Sequence, residues 1–130
     1  MAAETDLRVL LRNLDPVIAH PEVVVVEADG PVAVAALALV HEDEATTLVL
    51  RRSDADAAGH RYDTVFAWIT LRVHSSLEAV GLTAAFATAL ADAGIGCNVL
   101  AGSRHDHLLV PVARSLEALA VLRGLADPRS

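Results

Sequence analysis

The stretch from Thr64 to His74 constrains the rest of the chain. Val65, Ala67, Ile69, Leu71 and Val73 alternate with Phe66, Trp68, Thr70, Arg72 and His74, and successive residues of a strand point to opposite faces of a sheet. The alternation predicts one long strand with a wholly aliphatic face and a mixed one. The aliphatic face needs cover, and two helical patterns follow. Leu82, Phe86, Ala89, Leu90 and Ala93 fall on one side of a helix that Gly94 stops, with Ser75 and Glu78 spaced as a capping box ahead of it. Leu116, Leu119, Leu122 and Leu125 mark a last helix. Two strands, about Gly96 to Ala101 and His105 to Val110, lie between these helices around the turn Gly102-Ser103-Arg104. Residues 64–126 therefore read as a βαββα unit, an α+β ferredoxin-like fold without its final strand, because only Asp127 to Ser130 remain.

The first half supplies candidates for that strand. Leu7, Leu10, Leu11 and Leu14 recur at helical spacing, so residues 5–14 read as a short amphipathic helix before Pro16. Val23 to Val26 is a β-branched run between Pro21 and Asp29-Gly30-Pro31, which predicts a buried strand. Ala36 to Val40 and Thr46 to Leu50 read as two more strands around the acidic connector Glu42-Asp43-Glu44, and Ser53 to Asp56 precede a brief helical turn that Gly59 ends. Six strands are too few for two complete four-stranded units, so the halves, residues 1–60 and 63–128, are expected to share strands or a sheet. The Val23 to Val26 strand could fill the open edge from within the chain or from a second copy. The mixed face of the long strand presents Phe66 and Trp68. Either the first half covers these rings or they form the interface of a homodimer.

Composition narrows the function. The chain is 54% hydrophobic and only 3% aromatic, so its core is built from small aliphatic side chains that allow close helix-on-sheet contact. A formal charge of −7, with the arginines scattered from Arg8 to Arg129, argues against a nucleic-acid partner. The absence of lysine excludes Schiff-base and P-loop chemistry. The longest apolar run, Pro31 to Val40, is too short to cross a bilayer, and the acidic start Met1 to Asp6 is unlike a signal peptide, so a cytoplasmic protein is expected. The single Cys97 reads as a small core hydrophobe.

No residue set meets the needs of catalysis. His105 and His107 would share a strand face, and His74 could lie beside them, but no third or fourth metal ligand stands at coordinating spacing. No serine sits in a nucleophile elbow, and Asp106 and His107, as strand neighbours, point apart. The chain is accordingly expected to be neither a metalloprotein nor an enzyme, and to need no cofactor. A ligand-sized constellation remains. The turn from His74 through Ser75, Ser76, Leu77 and Glu78 leads into a helix whose first amides can accept a carboxylate. Asn98 and Asp106 could accept from an ammonium group. Together they describe a site for an α-amino acid or a similar zwitterion.

The residues that carry this constellation also carry a likeness. Val80-Gly81-Leu82 through Ala93-Gly94-Ile95 and on to Asn98-Val99-Leu100 resembles the ACT domain, with a glycine opening the helix, Gly-Ile ending it and a strand after. Ile69 to Ala84 together with His105 to Pro111 resembles small bacterial proteins built of two ACT-like halves, the first half joining through Glu42 to Leu50. More distant relatives are the CASTOR arginine sensors and the regulatory tails of aspartate kinases. The likeness implies amino-acid binding at an interface between ACT units, with Gly81 as the helix-opening glycine, His74 to Glu78 as the ligand-facing loop and Asp106 as an aspartate before the third strand. Val80 stands before Gly81 where the family commonly has Pro, and Gly96 stands where many members have Asn.

Overall fold

The structure, a computed structural model, describes residues 5–30, 35–73 and 79–127. A short helix α1 (Leu7–Arg12) opens it, its N-terminus capped by the Asp6 carboxylate, which accepts from the Arg8 amide at 2.9 Å. There follow β1 (Pro16–Ala28), β2 (Ala38–His41), β3 (Thr46–Arg51), α2 (Arg52–Ala57), β4 (Phe66–Leu71), α3 (Leu82–Asp92), β5 (Asn98–Ala101), β6 (Asp106–Pro111) and, after a 3-10 turn, α4 (Ser115–Gly124). The strands form one antiparallel sheet in the order β2-β3-β1-β4-β6-β5.

That order contains two overlapping ferredoxin-like units. The second half runs β4-α3-β5-β6-α4, and β1 lies on the free side of β4 where its missing strand belongs. The first half runs β1-β2-β3-α2, and β4 lies on the free side of β1 in the same role. Each half thus completes its sheet with the opening strand of the other. The open edge foreseen in the sequence is filled from within the chain.

β1 can do this because it is 13 residues long and changes partners along its length. Val23 to Ala28 pair with β3, while Pro16, Val17, Ile18, His20 and Val23 pair with β4, with register shifts between Ile18 and His20 and between His20 and Val23. Pro21, read in the sequence as a boundary, sits in the second irregularity. There a residue without an amide hydrogen removes no ladder bond, so the strand passes through it.

The aliphatic face of β4 is covered as its alternation requires. Ala67, Ile69 and Leu71, with Leu108 and Val110 of β6, pack against Leu10 of α1, Leu82, Phe86 and Leu90 of α3, and Ala118, Leu119 and Leu122 of α4. Leu116 is 75% exposed and lies off this seam; α4 presents Ala118, Leu119 and Leu122 instead. In the first half Val24, Val26, Leu48 and Leu50 pack with Ala55 of the short α2 and with the partly buried Ala36, Tyr62 and Val65. The helix expected after the Ser75/Glu78 box begins at Leu82, and Gly81, at φ 96°, takes the N-cap position. A side chain at Gly81 would be strained at that φ, and its Cβ would come within 3.0 Å of Leu7 in α1.

Candidate functional site

Two regions of the molecule carry polar groups with work to do, and they lie on opposite faces of the sheet. The first is the end where β4 stops. Asp106 pairs with Leu71, the last residue of β4, and with Ala101, the last of β5. Gly81, which opens α3, lies against Leu7 of α1, and the chain from α1 enters β1 at Pro16, the partner of Leu71, so the start of α3 lies toward this end. Asp106 shares its strand face with Leu108 and Val110, whose side chains pack under the helices, so its carboxyl faces the helix layer from which α3 begins.

Among the described residues no side chain caps α3, so its leading amides are unclaimed by them. The Asp106 carboxyl is half-buried, has no hydrogen-bond or ion-pair partner among the described residues, and burial pushes its pKa up against a smaller opposing pull from His107. His74, Ser75, Ser76, Leu77 and Glu78 lie outside the described residues.

Asn98 is not brought to this end. It pairs with Leu109, exposed on the face opposite to Asp106, because odd and even positions of β6 alternate across the sheet. The two acceptors assigned jointly to an ammonium group from sequence are therefore separated by the sheet itself.

The second region is the open face. The sheet curls so that residues of both outer strands, Val40 of β2 and Leu100 of β5, line one cleft of about 340 Å³ with Val25, Val49, Phe66 and Asn98. Phe66 is half-buried at its wall. Trp68 is only 7% exposed and packs with Val23, Val49 and Leu109. Of the two coverings that the sequence left open for this ring, the chain itself provides the one that hides Trp68.

Sequence reasoning missed a polar cluster around Trp68. Its Nε1–H donates to Thr70 Oγ1 at 3.1 Å and to His107 Nδ1 at 3.2 Å, and Thr70 Oγ1 lies 3.0 Å from His107 Nδ1. His20 meets the indole edge to face, the ring centroids 5.6 Å apart, and His107 is tilted against it at 5.1 Å. Burial lowers the pKa of both imidazoles; His105 and His20 lower that of His107 further, and Arg51 lowers that of His20. The alternation of β4 placed Trp68 and Thr70 on one face. Which residues of β1 and β6 stand beside them depends on register, which no local pattern encodes.

His105 precedes β6, and among the described residues no group of three or more His, Cys, Asp or Glu is placed to hold a metal ion. Cys97 is half-buried against the main core, where burial raises its thiol pKa. The acidic connector is exposed, and Glu42 accepts a hydrogen bond from Thr47. No described helix is long and apolar enough to cross a membrane.

Comparison with known proteins agrees with this architecture. A Vibrio cholerae protein of unknown function, described as a possible transport protein, is 40% identical and superposes with a TM-score of 0.84, covering 93% of this chain and 96% of its own. An aspartate kinase from Clostridium acetobutylicum shares the fold at 11% identity and a TM-score of 0.60; this chain is covered over 82% of its length and matches 32% of the kinase. An Agrobacterium tumefaciens protein does so at 16% identity and a TM-score of 0.57, covering 81% of each chain. No curated protein matches the sequence. Family models for the ACT domain match residues 2–67 and 64–124, meeting at the strand that both halves use. With the family matched in each half and the sheet order repeated in each, the chain belongs to the ACT domain family.

Proposed function

We propose that this protein is a cytoplasmic regulatory module that binds an amino acid or a similar small zwitterion at the end of the sheet where α3 begins, and that it has no catalysis of its own. ACT domains are in general small-molecule regulatory modules, and that is the setting for the finer reading. Asp106 is the observation that carries it. Half-burying a carboxylate without a partner among the described residues works against the fold, and such a cost is commonly retained where a ligand supplies the missing charge. An ammonium group is the natural partner for Asp106. The leading amides of α3, opened by Gly81 on the same side of the sheet, suit a carboxylate.

Thermal-shift measurements with the twenty amino acids test this. A ligand at 100 times its Kd stabilises by about 2.7 kcal/mol, which corresponds to a rise of roughly 10 °C for a chain of this size. Asp106→Ala should abolish the shift and Asn98→Ala, on the other face, should keep it. If no amino acid moves the melting point, the site reading fails. The second reading is then favoured: an assembly module, homodimeric through the open face, where Val25 and Val40 line the cleft and are each more than 40% exposed.

A further inference from the structure

The cluster around Trp68 sits at the join of the two halves. Trp68 belongs to β4, its stacking partner His20 to β1 and its hydrogen-bond partner His107 to β6, so one buried indole is held from both neighbouring strands. An indole nitrogen can only donate. The bond from Trp68 to Nδ1 is made only by a neutral His107 with its lone pair on Nδ1 and its proton on Nε2.

We propose that this join carries a proton-operated latch: when His107 takes up a proton, the nitrogen that accepts from Trp68 becomes a donor, and the indole loses its hydrogen bond to β6. In the closed state the indole N–H reaches both Nδ1 and the Thr70 oxygen, and Thr70 Oγ1 lies 3.0 Å from Nδ1. In the protonated state two N–H groups would face each other at 3.2 Å with the Thr70 oxygen as the one acceptor between them. On its other side the imidazole faces the β5–β6 turn. Its Nε2 lies so close to Gly102 that a Cβ there would be 2.9 Å from it and 2.7 Å from the His105 carbonyl oxygen.

The charges around the latch keep it closed at neutral pH. His105 from the turn and His20 from β1 both disfavour a cation on His107, as does burial, while Asp106 opposes them; Arg51 of β3 disfavours a cation on His20. The residues of β4 and β5 that meet the ring, Thr70, Trp68 and Leu100, carry no charge. The proton is consequently taken up below the ordinary histidine value of 6.5.

Trp68 is the only tryptophan in the chain, so intrinsic fluorescence reads the latch directly. Between about pH 8 and about pH 5, the window in which histidine changes charge, the wild type should show one emission transition with its midpoint below 6.5 while far-UV circular dichroism still reports a folded chain. His107→Asn keeps an oxygen acceptor near the Nδ1 position and cannot be protonated, so the transition should vanish. Proton NMR of the wild-type imidazoles gives the same answer without a variant: His107 should titrate below 6.5 together with the indole N–H resonance. A flat wild-type emission profile, a His107 that titrates at or above 6.5, or a transition unchanged in His107→Asn would each overturn the latch.

Discussion

The two halves share a pair of strands, yet they are covered very differently. Beneath α1, α3 and α4 the second half buries Phe86, Leu90, Leu119 and Leu122 against β4 and β6. The first half has the six-residue α2, which brings Ala55 to Val24, Val26, Leu48 and Leu50. Among the described residues no helix connects β1 to β2, where the second half has α3 between β4 and β5. The difference extends to chemistry. The third strand of each unit opens with two side chains on opposite faces: Asp106 and His107 in β6, Thr46 and Thr47 in β3. A carboxylate at a helix start and an imidazole at the shared seam thus occur in one half only. The comparison teaches that, among the described residues, repetition of the sheet order has not repeated these side chains.

The contrast can be broken most severely by cutting it in two. Residues 1–62 and 63–130 produced separately should each fail to fold, because each would lose the strand that completes its sheet; circular dichroism of the separate and mixed fragments checks this. Two independently folded fragments would mean that the halves are separable domains. Next in size is a pair of core truncations compared by urea denaturation. Phe86→Ala removes a fully buried ring beneath three helices and should cost about 3–5 kcal/mol, a large part of a typical stability. Leu48→Ala, 1% exposed but under the single α2, should cost nearer the lower end of the range of about 2–5 kcal/mol, since a lightly covered site can collapse around the gap.

The smallest effect concerns Asp106 itself. Its folded pKa is raised by burial above the ordinary 3.8, so the group contributes stability below 3.8 that is lost as pH rises through the folded value. At neutral pH the ionised carboxylate opposes folding, and Asp106→Asn should melt slightly higher than wild type, with the gain disappearing as pH falls to 3.8. An Asn variant that melts lower at neutral pH would show that Asp106 already has a stabilising partner.

Much of the fold was legible along the chain because its signals are local. The alternation from Val65 to Val73, the spacing of Leu82, Phe86 and Leu90, and the glycines at 81 and 94 each act through a few neighbouring residues, and each element stands close to where the pattern put it. The readings that needed revision are those where tertiary context outweighs local preference. Pro21 looked like a boundary but rests in an irregularity of β1. Ser75 and Glu78 looked like the start of a helix that begins at Leu82 behind Gly81 as its N-cap. Leu116 fitted the stripe of α4 but faces away from the core that the rest of the helix covers. Of the candidate site, Asn98 and Asp106 were grouped as joint acceptors from the sequence, but they stand on opposite faces of the sheet.

The sequence by itself determined the α+β class, the number of strands, the one-sided aliphatic face and the need to fill an open edge, because side-chain period and turn chemistry are properties of short segments. Only the tertiary structure decided that β1 fills that edge, that Trp68 lies hidden at the seam with His20 and His107, and that the sheet separates Asn98 from Asp106. Strand partners and register are set by packing between segments far apart in the chain, and one residue of slip would exchange the two faces entirely.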